Sequence, residues 1–381
     1  MLSIFFNATP LLLPKTGIRQ YAACLLQQIH SSEEVDPHYF YLAGWSSQLN
    51  LNIETHNGSL LWKLKNTIRD RIPLSLEIQH RLREHMFRRG IRGVKAGIYH
   101  ELNFIPFESE LPTVITIHDL SIIRFPETHP KARVKFMESR IMRGAKMAEI
   151  VVTDSEYVRQ ELIKEFSLSE DKVTAIPLAP AENFKFHQSD GLGRLLSTYL
   201  LQNKRYFLAV GTLEPRKNLI VAVQAHAALP VDIRKRYPMV IVGLKGWQHS
   251  MLEKVLAPLV QTGSVRVLGF VPDEHLPWLY SGSSAFIYPS LYEGFGLPPL
   301  EAMACGTPVI TSDRGSLPEV VGEAGIMIDA FDVEGFREAM LELVSDETKN
   351  RQLTESGLQR SRNFSWTKTA AETIAVYNRL Q

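Results

Sequence analysis

The sequence predicts an α/β protein of two domains, each built around a parallel β-sheet. Twelve short apolar runs alternate along the chain with longer segments of helical periodicity, and such alternation is typical of parallel strands joined by crossover helices. A polar stretch near residues 186–203 divides the runs into two sets of six. The length of 381 residues also suits two domains, since a domain usually holds about 100–200 residues. We therefore expect two Rossmann-like domains whose sheets face a central cleft.

The apolar runs are short and bounded by Gly, Pro, Asp and Ser, as expected for strands buried on both faces of a parallel sheet. In the first half of the chain they are Leu2–Phe6, Tyr39–Ala43, Gly97–His100, Thr113–Ile117, Ile150–Thr153 and Val173–Ile176. In the second half they are Tyr206–Val210, Met239–Val242, Val265–Leu268, Ala285–Tyr288, Pro308–Thr311 and Gly325–Ile328. Helical patterns lie between them, for example over Pro215–Leu229 and Pro298–Cys305.

The predicted domain boundary follows from the polar stretch that Ser189-Asp190-Gly191 opens. We assign residues 1–190 to an N-terminal domain and residues 204–365 to a C-terminal domain. A last helix over 366–381 follows the second sheet and could pack on either domain. Ligands of open parallel sheets bind beyond the carboxyl ends of the strands, so the loops that follow the strands are the places to look for chemistry.

Composition excludes several classes of protein. The net charge of +1 provides no overall field that would attract nucleic acid. Cys24 and Cys305 lie in apolar contexts outside any CxxC pattern, so we expect free buried thiols rather than a disulfide or a metal site. The N-terminus lacks a basic leader, and no apolar stretch reaches the roughly 18 residues that a membrane span needs. We expect a cytoplasmic protein.

The loop Tyr292–Glu301 carries the strongest chemical signal. Its two glycines allow a tight turn, and Pro298 and Pro299 then start a helix, whose N-terminus can bind an anion. Glu293 lies before this helix and Glu301 one turn inside it, so both carboxylates can contact different parts of one ligand, and carboxylates accept hydrogen bonds from sugar or ribose hydroxyls. The alternative is an ordinary loop with two solvated glutamates.

The loop Gly211–Asn218 contains a basic pair. Pro215 suits a first helical turn, which places Arg216 and Lys217 at the start of the following helix. Cations there oppose the helix dipole and need a compensating anion, and a diphosphate would supply it, gripped by the guanidinium fork and the ammonium point charge. The alternative is a solvated basic pair.

Two further loops follow strands of the first domain. His118-Asp119 ends the strand that begins at Thr113 and could do acid–base work or orient a sugar hydroxyl, although a satisfied, capped histidine is the alternative. The loop around Gly17 and Arg19 follows the first strand and opens a helix, but it lacks GxGxxG and is weak evidence for dinucleotide binding.

Several other signatures are absent from the sequence. It contains no Walker A motif, no HExxH and no Cys/His cluster. No aspartate has another aspartate two positions away, so the DxD metal site of many nucleotide-sugar enzymes is missing. We therefore expect chemistry without a cofactor or an essential divalent metal.

Together these motifs resemble the retaining glycosyltransferases of family 4, which have the GT-B fold. The resemblance rests on Glu293 and Glu301, spaced as in the family's E-x7-E motif, and covers nearly the whole chain. Supporting segments are Gly211–Asn218, His118-Asp119, Val267–Val271 and Phe364-Ser365-Trp366.

The resemblance implies roles for individual residues. Glu293 would hold hydroxyls of the donor sugar, Glu301 the nucleotide ribose, and Arg216 and Lys217 the diphosphate. His118 would touch the transferred sugar, and Asp119 and Arg19 would lie on the acceptor side. The remaining donor contacts would come from Phe295, Gly296 and Leu297 through their amides, from Gly17 and Gly211, and from Phe270 and Val271 beside the base. The final helix would cross back onto the N-terminal domain.

The stretch from Ile117 to Pro130 is similar to bacterial mannosyltransferases of O-polysaccharide assembly. This resemblance implies transfer of mannose, or the related rhamnose, from a GDP-sugar to a lipid-linked saccharide, with retention at the anomeric carbon. A UDP-sugar-dependent glycosyltransferase and a GT-B nucleotide-sugar epimerase or phosphorylase are the nearest alternatives. A non-catalytic nucleotide-binding partner and a Rossmann dehydrogenase are more distant ones.

The segment Leu61–Lys95 is strongly basic. It holds ten Lys and Arg against three acids, for a net charge of +7, with apolar side chains interleaved. A basic amphipathic segment can lie on an anionic membrane surface, whereas the ordinary alternative is a solvated helical face. We predict peripheral contact with the inner face of the cytoplasmic membrane, because a lipid-linked acceptor would require it.

Overall fold

The computed structural model describes residues 1–13, 16–42, 44–51, 73–188, 190–244 and 250–381. Two compact units are present. Unit 1 comprises Met1–Leu178 together with Trp366–Gln381, and unit 2 comprises Ala179–Ser365. The division lies before the predicted limit of 190, because the segment that precedes this limit contacts unit 2: the Phe184 ring packs against Tyr280, and the His187 amide donates to the Ser281 hydroxyl at 3.1 Å.

Unit 1 contains a seven-stranded sheet. Its strands are β1 (Leu2–Asn7), β2 (Val35–Tyr41), β3 (Gly44–Ser46), β4 (Ile98–Glu101), β5 (Thr113–Thr116), β6 (Ile150–Thr153) and β7 (Val173–Ala175). They are ordered β3-β2-β1-β4-β5-β6-β7, and all neighbours pair in parallel except β2 and β3. The helices are α1 (Gly17–His30), α2 (Pro73–Gly90), α3 (Ser121–Arg124), α4 (Lys131–Met147) and α5 (Glu156–Phe166), with 3-10 turns at Thr9–Leu12, Pro126–Thr128 and Glu170–Lys172.

Unit 2 contains a six-stranded, fully parallel sheet. Its strands are β8 (Phe207–Val210), β9 (Met239–Val242), β10 (Val265–Gly269), β11 (Ala285–Tyr288), β12 (Val309–Ser312) and β13 (Gly325–Ile328), ordered β10-β9-β8-β11-β12-β13. Its helices are α6 (Asp190–Thr198), α7 (Leu219–Ala227), α8 (Val231–Arg236), α9 (Ser250–Gln261), α10 (Leu276–Gly282), α11 (Leu297–Ala304), α12 (Leu317–Val321), α13 (Val333–Ser345) and α14 (Glu347–Ser361), with 3-10 turns at Pro215–Lys217 and Gly322–Ala324.

The last helix, α15 (Trp366–Asn378), belongs to unit 1 although it follows unit 2 in the chain. Its Tyr377 hydroxyl lies 2.7 Å from His100 Nδ1, and the Thr369 hydroxyl donates to the Pro177 carbonyl at 2.7 Å. The helix therefore joins the first sheet through buried polar contacts as well as through its apolar face.

Each of the twelve predicted runs overlaps a strand, and the predicted helix Pro298–Cys305 corresponds to α11. The predicted helix Pro215–Leu229 is interrupted. A 3-10 turn ends at Asn218, whose φ of 52° is left-handed, and α7 begins at Leu219. Arg216 and Lys217 therefore precede the helix instead of starting it, so the expected conflict with the α7 dipole was wrong.

Both sheets are buried by apolar side chains of their crossover helices. A core of unit 2 surrounds Phe207, Ile241 and Ile287, and side chains of α7 and α13 pack into it. In unit 1, Ile115, Ile117 and Val151 pack against α4 and α5. None of the helices in the described ranges is long and apolar enough to cross a membrane.

Candidate functional site

The sheet of unit 2 has one point at which the order of its strands reverses. The chain proceeds outward from β8 through β9 to β10, then returns to the other side of β8 as β11. The carboxyl ends of β8 and β11 flank this point, and such a switch point is the usual ligand site of open parallel sheets. The loops that follow these two strands touch here, since the Leu291 amide donates to the Arg216 carbonyl at 2.8 Å.

Three residues singled out in the sequence meet at this switch point. Lys217 Nζ lies 2.7 Å from Glu293 Oε1, and Arg216 Nη1 lies 3.4 Å from Glu293 Oε2. Arg216 Nη2 also pairs with Glu214 Oε1 at 2.8 Å. The anion that the basic pair requires is thus provided by two carboxylates of the chain itself, which the sequence did not predict.

Burial and charge act in opposite directions on these groups. Burial by itself would raise the pKa of Glu293, but the charges of Lys217 and Arg216 outweigh it and hold the pKa at about 2. Burial lowers the pKa of Lys217, and the attraction of Glu293 offsets this in part. Glu293 is therefore a fixed carboxylate, and the cluster is a permanent ion-pair network rather than a proton donor.

The two oxygens of Glu293 have different surroundings. Oε1 accepts hydrogen bonds from Lys217 Nζ, from the Tyr288 hydroxyl at 2.9 Å and from the Ser290 hydroxyl at 2.5 Å. Within the described ranges, Oε2 has the single long contact with Arg216. Because a carboxylate oxygen can accept at least two hydrogen bonds, Oε2 retains capacity to accept one from a ligand hydroxyl.

The loop after β12 contacts the backbone of the loop that carries Glu293 and stabilises it. The Ser316 hydroxyl, which has one proton to donate, lies 2.9 and 2.5 Å from the carbonyl oxygens of Glu293 and Phe295. Gly315 has a φ of +60°, and a Cβ there would lie 2.9 Å from the backbone of Glu293. A side chain at position 315 would therefore displace the Glu293 backbone.

Asn218 fixes the basic loop in a similar way. Its side-chain amide donates to the carbonyls of Pro289 and Ala330, at 3.0 and 2.6 Å. Sequence reasoning missed Asn218 and the hydroxyl residues Tyr288, Ser290 and Ser316 as parts of the site. The available signal was their position at or beyond strand ends. Their residue types are common in ordinary loops, so type alone did not identify them as parts of the site.

The other residues of unit 2 that were predicted to bind the donor substrate follow strands of the same sheet, and their solvent exposure differs. Glu301 is buried in α11, and Tyr280 donates to its Oε2 at 3.3 Å. Gly296 caps α11 with a φ of 111°, and the amide of Leu297 begins the helix, whereas Pro298 and Pro299 have no amide hydrogen to offer. Gly211 follows β8 beside the alkyl chain of Lys217.

Phe295 and the β10 loop complete the predicted donor contacts. Phe295 is buried, and its ring packs edge-on against Phe364 with centroids 5.9 Å apart. Phe270 follows β10 and is 64% exposed, whereas Val271 is buried. In the sheet order, β10 is separated from β8 by β9, so Phe270 lies away from the ion pairs.

The predicted residues of unit 1 form a separate group. His118 is buried, with Nδ1 2.9 Å from Asp154 Oδ2 and Nε2 3.1 Å from the Leu102 carbonyl. Both neighbours are acceptors, so the ring donates from both nitrogens and has no lone pair left for removing a proton. Burial lowers the pKa of His118, but the Asp154 carboxylate more than compensates and raises it.

The remaining predicted residues of unit 1 are Asp119, Arg19 and Gly17. The first two have hydrogen-bond partners close in sequence, and the third has open space beside it. Asp119 Oδ1 accepts from the Ser121 amide at 2.9 Å, at the start of α3. Arg19 donates to the Leu13 carbonyl at 2.9 Å. Gly17 begins α1, and the space where its Cβ would lie is open. Asp119 and Arg19 are thus engaged in capping and loop contacts in this structure.

Comparison with known proteins identifies the family. A family model described as glycosyl transferases group 1 matches residues 198–360, which include the whole ion-pair cluster. The chain is 35% identical to the O-antigen chain mannosyltransferase B of Escherichia coli, and the alignment covers 100% of both chains. The chain belongs to the group 1 glycosyltransferases.

Solved structures agree on the fold of this glycosyltransferase. It matches sucrose-phosphate synthase from Thermosynechococcus elongatus with a TM-score of 0.76 and 18% identity, covering 100% of this chain and 99% of that one. It also matches the Anabaena protein HepE, solved in complex with UDP-glucose, with a TM-score of 0.72 and 15% identity over 99% and 100% of the two chains. The predicted GT-B fold and glycosyltransferase activity are thus confirmed.

Proposed function

We propose that this glycosyltransferase transfers mannose, or the related rhamnose, from a GDP-sugar to a lipid-linked saccharide in O-antigen or related cell-surface polysaccharide synthesis. The proposal of mannose is supported by the full-length similarity to an O-antigen chain mannosyltransferase. The proposal of a nucleotide-sugar donor rests chiefly on one observation, the pairing of Arg216 and Lys217 with Glu293 at the switch point of unit 2.

The donor diphosphate would lie against Arg216 and Lys217. The side chains of these cations are only 11% and 13% exposed and are already oriented by Glu293 and Glu214, so little reorganisation is needed when negative charge develops on the leaving group. The Glu293 oxygen with spare capacity, Oε2, would accept a hydroxyl of the transferred sugar. In this proposal two fixed cations neutralise the diphosphate, and the reaction needs no essential divalent metal.

The proposed reaction retains the configuration of the anomeric carbon. The bond from the anomeric carbon to the diphosphate oxygen breaks, and the acceptor oxygen forms its new bond on the same face. The acceptor proton passes to the departing diphosphate. Glu293 is a weak nucleophile, because the charges of Lys217 and Arg216 hold its pKa at about 2, and His118 has no ring lone pair to act as a base.

A UDP-sugar donor is the second candidate, and the UDP-glucose complex of the structurally similar HepE favours it. Steady-state assays with GDP-mannose and UDP-glucose on a lipid-linked saccharide acceptor, with product stereochemistry read by NMR, distinguish the two. We expect an α-linked mannoside from GDP-mannose. Transfer from UDP-glucose alone would discard the mannosyltransferase proposal, and release of free epimer without transfer would indicate an epimerase.

A lipid-linked acceptor implies contact with a membrane, and the exposed side of α2 supports such a contact. The predicted basic segment 61–95 begins outside the described residues, but α2 is described. Its apolar residues Ile78, Leu82 and Met86 recur every four positions and are 50%, 58% and 39% exposed. Exposed arginines accompany them on the same helix: Arg81, Arg88 and Arg89.

The neighbouring helix α4 extends this surface. Met142 and Met147 are exposed beside Arg143 and Lys146, and Arg140 of α4 is paired with Glu77 of α2. Mixed apolar and basic side chains suit the boundary between anionic headgroups and acyl chains. Unit 1 is therefore proposed to rest on anionic lipid through α2 and α4.

Vesicle flotation tests the membrane contact. Binding to vesicles with anionic phosphatidylglycerol should weaken about tenfold in the double variant Ile78→Ser/Leu82→Ser. The variant lacks two apolar side chains that would be partly buried in the lipid when the protein is bound. The matched control is Val231→Ser/Met251→Ser, which changes two exposed apolar residues of unit 2. Equal binding by wild type and both variants would end the proposal.

A further inference from the structure

Tyr288 lies at the centre of the ion-pair cluster, although its place at the end of β11 is that of a core residue. It is 1% exposed. Its hydroxyl accepts a hydrogen bond from Lys217 Nζ at 2.7 Å and donates one to Glu293 Oε1 at 2.9 Å. Lys217 Nζ also lies 5.1 Å from the centroid of the Tyr288 ring. One side chain therefore contacts both the cation and the carboxylate.

The direction of these hydrogen bonds is fixed by chemistry. The ammonium has only donors, and an ionised carboxylate has only acceptors. A tyrosine hydroxyl between them must accept from the first and donate to the second, which uses its single proton. A phenylalanine would fill the same space but could do neither.

We propose that Tyr288 is a positioning residue that keeps Lys217 protonated and holds Glu293 so that its Oε2 is presented to the donor. The inference rests on the proposed donor-binding role of this cluster. Ser290 acts with Tyr288, because both hydroxyls occupy Oε1 and so orient the carboxylate.

Two physical effects make the hydroxyl important. Lys217 is buried, and burial disfavours its charged form. An oxygen at 2.7 Å from Nζ partly replaces the water that the ammonium has lost. The hydroxyl also occupies Oε1, so its removal lets Glu293 rotate toward Lys217 and changes which oxygen is available.

The test compares Tyr288→Phe with Tyr206→Phe. Tyr206 is also a buried tyrosine of unit 2, and its hydroxyl donates to the Leu279 carbonyl away from the cluster. The first measurement is an NMR titration of the Lys217 ammonium in ligand-free protein, assigned with Lys217→Ala. We expect the Lys217 ammonium to lose its proton at lower pH in Tyr288→Phe than in wild type, and at the wild-type pH in Tyr206→Phe.

The second measurement is the pH profile of kcat with the donor. In Tyr288→Phe, kcat should fall about tenfold, as expected when a hydrogen bond to charged groups is lost, and the alkaline limb should move to lower pH. A purely structural role would reduce stability without moving that limb. Ser290→Ala, which removes one hydrogen bond to Oε1, should lower kcat and leave the alkaline limb in place.

The outcomes separate this inference from the proposed function. An unchanged Lys217 titration in Tyr288→Phe would overturn the inference, and that measurement needs no substrate. If Tyr288→Phe does not fold, wild-type kcat in Ser290→Ala would overturn it instead. Absence of transfer from GDP-mannose by the wild type, with a shifted Lys217 titration in Tyr288→Phe, would count against the donor assignment alone.

Discussion

The two sheets each have a switch point, and each places a buried glutamate there. In unit 1 the order reverses between β1 and β4, where Glu101 is 1% exposed. In unit 2 it reverses between β8 and β11, where Glu293 is 7% exposed. The pKa of Glu101 is raised to about 8, whereas that of Glu293 is lowered to about 2. Topology and burial are similar, so neither determines the charge.

The groups that contact each glutamate explain why the two pKa values differ. Among the described residues, Glu101 accepts from three neutral groups, namely the Asn7 amide at 2.7 Å, the Tyr99 hydroxyl at 2.6 Å and the Asn103 amide at 3.0 Å. Burial therefore dominates, and these hydrogen bonds offset it only in part. Glu293 has two cations within reach. Among the residues that the structure describes, permanent charges pair with the glutamate of the second switch point and not with that of the first, and binding of a diphosphate requires such charges.

The largest expected effect concerns the free energy of unfolding between pH 4.5 and 8. The folded-state pKa of Glu101 exceeds its ordinary value of 4.5, so the unfolded chain loses this proton first as pH rises. The free energy of unfolding should fall between pH 4.5 and 8 by about 5 kcal/mol from this group, at about 1.36 kcal/mol per pKa unit. In Glu101→Gln, the free energy of unfolding measured with urea should change less with pH over that range than in the wild type. The control is Glu355→Gln, which changes an exposed glutamate. If the free energy of unfolding depends on pH equally in the two variants, Glu101 titrates normally and the prediction is wrong.

Glu293 should show the opposite dependence. Its folded-state pKa lies below its ordinary value, so its stabilising effect is present above pH 4.5 and is lost as pH falls toward 2. The loss should be about 3 kcal/mol on the same scale. In Glu293→Gln the protein should be less stable at neutral pH, and this difference from wild type should shrink on acidification. A constant difference across the acid range would contradict the ion-pair interpretation.

Removal of a cation at the second switch point should impair catalysis. Lys217→Ala or Arg216→Ala should lower turnover by about 10²-fold or more, as for other groups that stabilise developing charge. Lys235→Ala, which removes an exposed lysine of unit 2, serves as the control in the same assay. A drop of only a few-fold would reject the role in transition-state stabilisation.

The smallest effect is expected from Tyr99, the counterpart of Tyr288 at the first switch point. Tyr99→Phe removes one hydrogen bond to Glu101 and should cost about 1–2 kcal/mol in the free energy of unfolding. Turnover should stay within about twofold of wild type, since the partners of Glu101 in the described part of unit 1 are neutral. A kinetic defect as large as that of Tyr288→Phe would remove the distinction between the two switch points.

The strands were predictable because their signal is local. An apolar run such as Ile150–Thr153 or Met239–Val242 contains its own evidence for a buried parallel strand. β3 was missed because Gly44–Ser46 contains one large apolar side chain and joins the sheet by antiparallel pairing with β2. The break at Asn218 was missed because Pro215–Leu229 has a continuous helical pattern, whereas contacts with Pro289 and Ala330 hold Asn218 in a left-handed conformation.

The site was predictable in its residues but not in its pairing. Strand ends pointed to Arg216, Lys217 and Glu293, because the carboxyl edge of a parallel sheet is where ligands bind. The sequence could not tell that Glu293, 76 residues from Lys217, is its ion-pair partner. Nor could it tell that Tyr288 serves the cluster, because a tyrosine at the end of an apolar run is usually a core residue.

The most direct test is calorimetric titration of the purified protein with GDP, UDP and ADP in the absence of divalent metal. We predict selective binding of GDP that weakens in Lys217→Ala, because the diphosphate would be held by the buried cations of unit 2. Selective binding of UDP would retain the glycosyltransferase and discard the GDP-sugar donor. No binding of any of the three nucleotides would contradict the assignment of the second switch point as the donor site.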